Sequence, residues 1–243
     1  MHPLNSLLAR VGLSVKKTSS GFFDFDSLVL AMTRRLDEFS FVQIGANDGV
    51  TSDPLARLLP LIKGRIIGTV VEPVSEYFAE LVSNYQQYPA VKPLQFAIHP
   101  RADHLTIFYP SKASRKKSGP LAKGIASADP DHWRKSNFVS DSSEIESEKV
   151  ECISVNSLMD MHGLNIDLLI VDTEGMDFEI LMDLDLARFQ ISVIRFEHGL
   201  RDSIMSMEQL NQLIDKLNSH GFQVFLESYD GVAIHLNVLH QVA

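Results

Sequence analysis

The chain has 243 residues, of which 45% are hydrophobic and 22% charged, enough for one large α/β domain with a sizeable core. Lys and Arg number 22 against 31 Asp and Glu, a net charge of −9. That balance argues against a nucleic-acid partner, because phosphate neutralisation needs clustered cations. A lone cysteine, Cys152, excludes an internal disulfide and makes a reducing, cytoplasmic setting the expectation.

No apolar run is long enough to cross a bilayer, so no integral membrane segment is expected. Met1 to Lys17 carries Leu4, Leu7, Leu8 and Val11 at helical spacing. It reads as a helix packed on the domain or on a partner, a second copy of the chain included. Residues 1–38 are taken as a helical extension and 39–243 as one domain without an internal repeat or linker. Phe22 to Leu36 has the pattern of an amphipathic helix. A buried strand near Phe41 to Ile44 follows, then a helix from Pro54 to Ile62, with Asp53 placed to cap it and Pro54 at its first position. The second strand runs from Arg65 to Glu72, a helix from Glu76 to Tyr85, a third strand from Val91 to Ile98, and an added strand from His104 to Tyr109.

Pro110 to Glu148 has little periodicity and is rich in Ser, Lys, Gly, Asp and Pro. It is predicted to be a long lid-like loop, with Arg115-Lys116-Lys117, Gly124-Ile125-Ala126-Ser127 and His132-Trp133 as its notable features. Regular structure resumes with a strand from Lys149 to Ser154, in which Cys152 reads as a small buried residue. Then come a short helix from Val155 to Met161, an apolar strand from Asp167 to Val171, a helix from Asp177 to Leu186 and a strand from Ile191 to Phe196. A helix from Met207 to Ser219 stops at Gly221, and Phe222–Leu226 and Val232–Leu236 form a closing strand pair. Strands alternating with helices imply a mostly parallel sheet with helices on both faces.

In such a sheet ligands bind beyond the carboxyl ends of the strands. The first strand ends in a glycine turn, Gly45-Ala46-Asn47-Asp48-Gly49, and the second in Glu72. A glycine turn lets backbone N–H groups approach a ligand, and an acid at the next strand tip is placed to hold the two hydroxyls of a ribose. The spacing differs from the dinucleotide fingerprint, since Asn47 stands where the second glycine would admit a pyrophosphate. A nucleoside cofactor without phosphate, S-adenosyl-L-methionine, suits this turn. Gln43, Gly45, Asn47, Asp48, Asp53, Glu72, Phe96, Ala97 and Asp172 are the candidate cofactor-binding residues. Asp172 and Glu174 could instead cap the helix that follows them.

These segments are recognisable together. Gln43-Ile44-Gly45-Ala46-Asn47-Asp48-Gly49, Val71-Glu72-Pro73, Asp167 to Gly175 and Val193-Ile194-Arg195-Phe196-Glu197-His198 resemble the FkbM family of S-adenosylmethionine-dependent methyltransferases. The resemblance spans Phe41 to about Gly199, and its Asp172-Thr173-Glu174-Gly175 element is more specific than the glycine turn. It implies a Rossmann-like doubly wound sheet of seven strands, the last antiparallel, as in class I methyltransferases. It also implies methyl transfer to a hydroxyl of a sugar, glycolipid or secondary metabolite. The family usually has Asp where this chain has Gln43, and the lost charge would have to come from Asp48, Asp53 or Asp172.

An alcohol acceptor needs a base as the methyl is transferred. His198 is the expected base, with Glu197 orienting it, and Glu174 is the second candidate. Asp172, Glu174, Glu197 and His198 could also hold a divalent metal that polarises a pair of hydroxyls, but their spacing matches no defined metal motif and no metal is assigned. The rival readings are a nicotinamide-dependent oxidoreductase and a catalytically silent cofactor-binding protein.

Overall fold

A computed structural model describes residues 24–135 and 138–238, and the expected helix over Met1 to Lys17 lies outside them. In chain order the elements open with α1 (Phe25–Thr33), β1 (Glu38–Ile44), α2 (Pro54–Leu58), β2 (Arg65–Val71), α3 (Ser75–Asn84), β3 (Val91–Leu94) and β4 (Ala97–Ile98). They continue with β5 (His104–Pro110), α4 (Lys112–Ser118), β6 (Ile145–Ile153), α5 (Val155–His162), β7 (Asn165–Val171) and α6 (Asp177–Asp183). The chain closes with β8 (Gln190–Glu197), α7 (Met207–Ser219), β9 (Phe222–Leu226) and β10 (Asp230–His235).

Seven strands form one sheet in the order β3-β2-β1-β7-β8-β10-β9, parallel except for β10, which runs antiparallel to both its neighbours. This is the doubly wound sheet with an antiparallel last strand that the resemblance implies. Its central strands are apolar on both faces, as parallel strands covered by helices must be. On β1, Phe39 and Phe41 pack to one side and Val42 and Ile44 to the other. Helices α1 to α3 cover the first side through Phe25, Val29, Leu55, Leu58 and Leu81. Helices α5 to α7 cover the second through Leu158, Ile180, Leu181, Leu213 and Leu217. Within the described residues α1 is thus part of the domain core. Among them no helix is long and apolar enough to cross a membrane.

The sequence-based elements hold along most of this frame, with two differences. The expected third strand divides: β3 joins the large sheet, while β4 pairs with β6 in a separate three-stranded sheet of order β4-β6-β5. The break falls at Gln95-Phe96, beside the cleft described below. The second difference is the insertion, which is folded rather than a loop. It holds α4, capped by Ser111, and 3₁₀ turns at Pro120–Ile125, His132–Lys135 and Ser142–Glu144. Ile125, Trp133 and Val139 make a small apolar cluster of its own, so Trp133 is a local packing anchor. Strand β6 starts at Ile145 instead of Lys149 because its first residues pair with the far end of β5, Tyr109 opposite Glu146. The basic run is mostly engaged in packing: Arg115 is buried against the Tyr77 ring and paired with Glu76 at 2.5 Å, and Lys117 meets Glu144 at 3.1 Å. Cys152 is half-buried, and burial pushes its thiol up, which keeps it unreactive.

Candidate active site

The strand order reverses at β1, whose two neighbours are β2 and β7. At such a switch point the chains leave the sheet in opposite directions and open a crevice beyond the strand ends. Here it is a cleft with about 940 Å³ of empty space, its open mouth included. From β1 and the turn after it come Gln43, Gly45, Asn47 and Asp53; from β2, Glu72; from the β3–β4 break, Phe96 and Ala97. The tip of β7 adds Asp172 and Glu174, and the insertion adds Lys123, Gly124 and Ser127.

Gly45 is required by this crevice. Its φ is +80°, and a Cβ there would lie 1.7 Å from the carbonyl oxygen of Asp172. Only a glycine lets the ends of β1 and β7 meet, where Asp172 N–H donates to the Ile44 carbonyl at 3.0 Å. Asn47 takes the left-handed conformation, φ 50°, which its short amide tolerates. That turn aims the Asn47 N–H at Glu72 Oε2, 2.9 Å away, while Val74 N–H donates to Oε1, also at 2.9 Å. Glu72 is 4% exposed. Burial pushes its carboxyl up to about 7, against the pull of those two amides. Each oxygen retains a lone pair for a further donor.

Asp48 does not line the cleft. Burial would raise its carboxyl, but Lys123, Thr51 and the Val50 amide hold it at about 2. Lys123 Nζ sits 2.8 Å from Asp48 Oδ2 and 2.5 Å from Glu80. Asp48 therefore folds the turn and anchors the insertion to it. Asp53 caps α2 through Oδ1, which accepts from Leu55 N–H at 2.6 Å, and burial raises its carboxyl to about 6. Its Oδ2 and the Gln43 Oε1 are buried without a hydrogen-bond partner. Tyr85, whose hydroxyl is likewise unpartnered, is not among the lining residues.

The β7 and β8 tips bring acids together. Carboxylate oxygens of Asp172, Glu174 and Glu197 all lie within 4.8 Å of one another. One cation could bridge that spacing, and so could shared protons. Burial first, then mutual repulsion, raises Glu174 and Glu197 far above the usual carboxylate range. Asp172 lines the cleft, where desolvation first and then Asp230 raise its carboxyl, with Arg195 opposing. Neither Asp172 nor Glu174 caps α6. Asp177 holds this turn instead, accepting from Thr173 N–H at 3.0 Å and from Glu197 N–H at 2.9 Å.

Glu174 has the left-handed φ of 53°, uncommon for a residue other than glycine. The insertion secures it there. Ser127 Oγ donates to its carbonyl at 2.7 Å, and Ser127 is itself fixed to β5 by paired backbone bonds with Phe108. His132 Nε2 lies 3.1 Å from Glu174 Oε2. The His132 side chain is only 6% exposed, and burial, helped by Lys135, lowers its pKa and favours the neutral ring. Lys123 and His132 are site residues that sequence reasoning missed. Their segment shows no periodicity, and their partners lie 42 to 75 positions away.

His198, the expected base, is placed elsewhere. It is 3% exposed and does not line the cleft. Its Nε2 donates to the Glu227 carbonyl at 3.2 Å, and Nδ1 accepts from Leu200 N–H at 3.3 Å. One nitrogen is committed to the turn after β8 and the other to the connection between β9 and β10. Glu197 likewise orients no imidazole: its carboxylate points into the acid cluster.

The family model described as the methyltransferase FkbM domain matches residues 43–224, about three quarters of the chain. No curated protein matches it. Among solved structures, the chain is similar to precorrin-6y C5,15-methyltransferase from Geobacter metallireducens GS-15, at 14% identity over 91% of this chain and 93% of that one, with a TM-score of 0.43. It is also similar to human methyltransferase 10 domain containing protein, at 12% identity over 96% and 94% of the two chains, TM-score 0.41. A third is a ribosomal protein L11 methylase from Lactobacillus delbrueckii subsp. bulgaricus, at 10% identity over 86% and 76%, TM-score 0.42. On the extent of the family match, the chain belongs to the FkbM family of S-adenosylmethionine-dependent methyltransferases.

Proposed function

We propose that this protein transfers a methyl group from S-adenosyl-L-methionine to a hydroxyl of a sugar, glycolipid or secondary metabolite. The observation that carries the cofactor assignment is Glu72, a buried carboxylate at the tip of β2, held by two backbone amides and facing the cleft beside the Gly45 turn. The residues fit the group: Gly45 lets the ends of β1 and β7 meet at the wall of the cleft, and Gln43 and Asp53 offer unpartnered acceptors there. Asn47 occupies the place where a dinucleotide needs glycine, which disfavours the oxidoreductase reading.

When bound, S-adenosylmethionine supplies a methyl group already activated on a sulfonium centre. The protein's task is alignment and removal of one proton. Glu72 would accept from the ribose hydroxyls, and Phe96, at the cleft wall, would offer apolar surface to the base. Burial and mutual repulsion raise the carboxyls of Asp172, Glu174 and Glu197, and a bound sulfonium cation would favour their charged forms, a preference that would lapse once the methyl has left. Glu174 takes the role of base in place of His198. It lines the cleft, its main chain is fixed by Ser127, and His132 braces one carboxylate oxygen.

Calorimetry with S-adenosylhomocysteine and with NAD tests the reading. Binding of S-adenosylhomocysteine without NAD is expected. The reverse would return the oxidoreductase reading. Transfer of labelled methyl to a panel of sugars and glycolipids then separates an active enzyme from a silent binder.

A further inference from the structure

We propose that Asp53 and Gln43 form the subsite for a primary ammonium group, the α-amino group at the methionine end of the cofactor. The inference rests on the reading of the cleft as an S-adenosylmethionine site. Gln43 is 3% exposed and Asp53 7%, both line the cleft, and Gln43 Oε1 and Asp53 Oδ2 have no hydrogen-bond partner. Unpaired buried acceptors are costly, and a folded protein rarely keeps them without a use. Two of them on one wall of a ligand cleft point to a donor that arrives with the ligand.

The chemistry of the pair selects that donor. The Gln43 amide is close enough to Asp53 to favour its charged form, yet it leaves Oδ2 without a completed bond. One carboxylate oxygen and one amide oxygen suit a group with several N–H bonds and a positive charge. An anionic ligand group would be repelled, and a hydroxyl could serve only one of the two acceptors. No cation among the described residues takes the place. Arg57, whose guanidinium feels the Asp53 charge, is bound by two bonds to Asp26 at 2.7 and 2.8 Å.

The other acids named for this charge are spent. Asp48 is held by Lys123, Thr51 and the Val50 amide. Asp172 belongs to the acid cluster at the β7 tip. The Gln43 departure is therefore a relocation of charge. The carboxylate has moved from β1 to the first residue before α2, where Leu55 N–H fixes its other oxygen at 2.6 Å.

The test uses two probes, S-adenosylhomocysteine and 5′-methylthioadenosine, which keeps the nucleoside and sulfur but lacks the amino-acid end. Asp53→Asn removes the charge and retains a good helix cap. It should weaken S-adenosylhomocysteine by roughly 10- to 100-fold in calorimetry while leaving 5′-methylthioadenosine nearly unchanged. The double variant Gln43→Asp with Asp53→Asn, which returns the charge to β1, should recover most of the lost affinity. Equal losses for both probes, no loss for S-adenosylhomocysteine, or no recovery in the double variant would each overturn the assignment. A wild-type protein that binds neither probe would instead overturn the cofactor reading on which it rests.

Discussion

Glu72→Gln should move stability and cofactor affinity in opposite directions as pH changes. The Glu72 carboxyl is raised from 4.5 to about 7, chiefly by burial. That rise corresponds to about 3 kcal/mol. Because the folded value is the higher one, the folded state gains this amount below pH 4.5 and loses it as pH rises through 7. Glutamine cannot titrate, so the variant should lack this part of the pH dependence. It also has one acceptor for the two amides of Asn47 and Val74, a pH-independent cost of about 1–3 kcal/mol. The slope of stability with pH, not its absolute value, therefore carries the signal. Asp53, Asp172 and Asp177 titrate in both proteins, and the difference between variant and wild type isolates Glu72. Affinity runs the other way. Ribose hydroxyls donate to the charged carboxylate, so wild-type affinity for S-adenosylhomocysteine should rise between pH 6 and 8.5. The variant should be flat and weaker at pH 8.5 by about 1–3 kcal/mol. Thermal unfolding and calorimetry at the two pH values read both effects. A variant that matched wild-type affinity at pH 8.5 would refute the assignment of Glu72 to the ribose.

Gly45→Ala should cost about 3 kcal/mol or more, since a positive φ alone costs about 1–2 kcal/mol and the Cβ would also collide with the Asp172 carbonyl. A thermal melt within about 2 °C of wild type would contradict that packing. Once an acceptor is known, Glu174→Gln should lower single-turnover methyl transfer by about 100- to 10,000-fold with cofactor binding largely kept. His198→Ala should mainly lower stability, by about 1–3 kcal/mol, through its two buried bonds; the opposite pattern would restore His198 as the base. Amides of the insertion, residues 110–148, should exchange more slowly with S-adenosylhomocysteine bound than without it, because Ser127 and His132 tie it to Glu174 at the cleft. Equal exchange in both states, with ligand bound, would make it a static wall.

The frame was legible because its signals are local. β1, β2 and β7 are apolar runs that stop at Gly45, Glu72 and Asp172, and periodicity marks the helices between them. Glu72, Asp53 and the Gly45 turn followed from chain order alone, since the carboxyl ends of parallel strands share one edge. What sequence hid depends on distance. Nothing near Lys123 or His132 announces Asp48 or Glu174 as a partner, and an unperiodic segment held by such contacts reads as a loop. Asp48 faces into its own turn because Lys123 reaches it from 75 positions away. For His198, a strand-tip position suggested the cleft. The following residues, Gly199 at φ 47° and Ser203 at φ 56°, fold a tight turn around its ring instead.

A crystal structure with S-adenosylhomocysteine would test the central claim most directly. The account predicts the ribose hydroxyls on Glu72, the amino group against Asp53 and Gln43, and the sulfur facing the side where Glu174 meets His132. A nucleoside bound away from Glu72, or a cleft that stays empty while the ligand sits elsewhere, would contradict it.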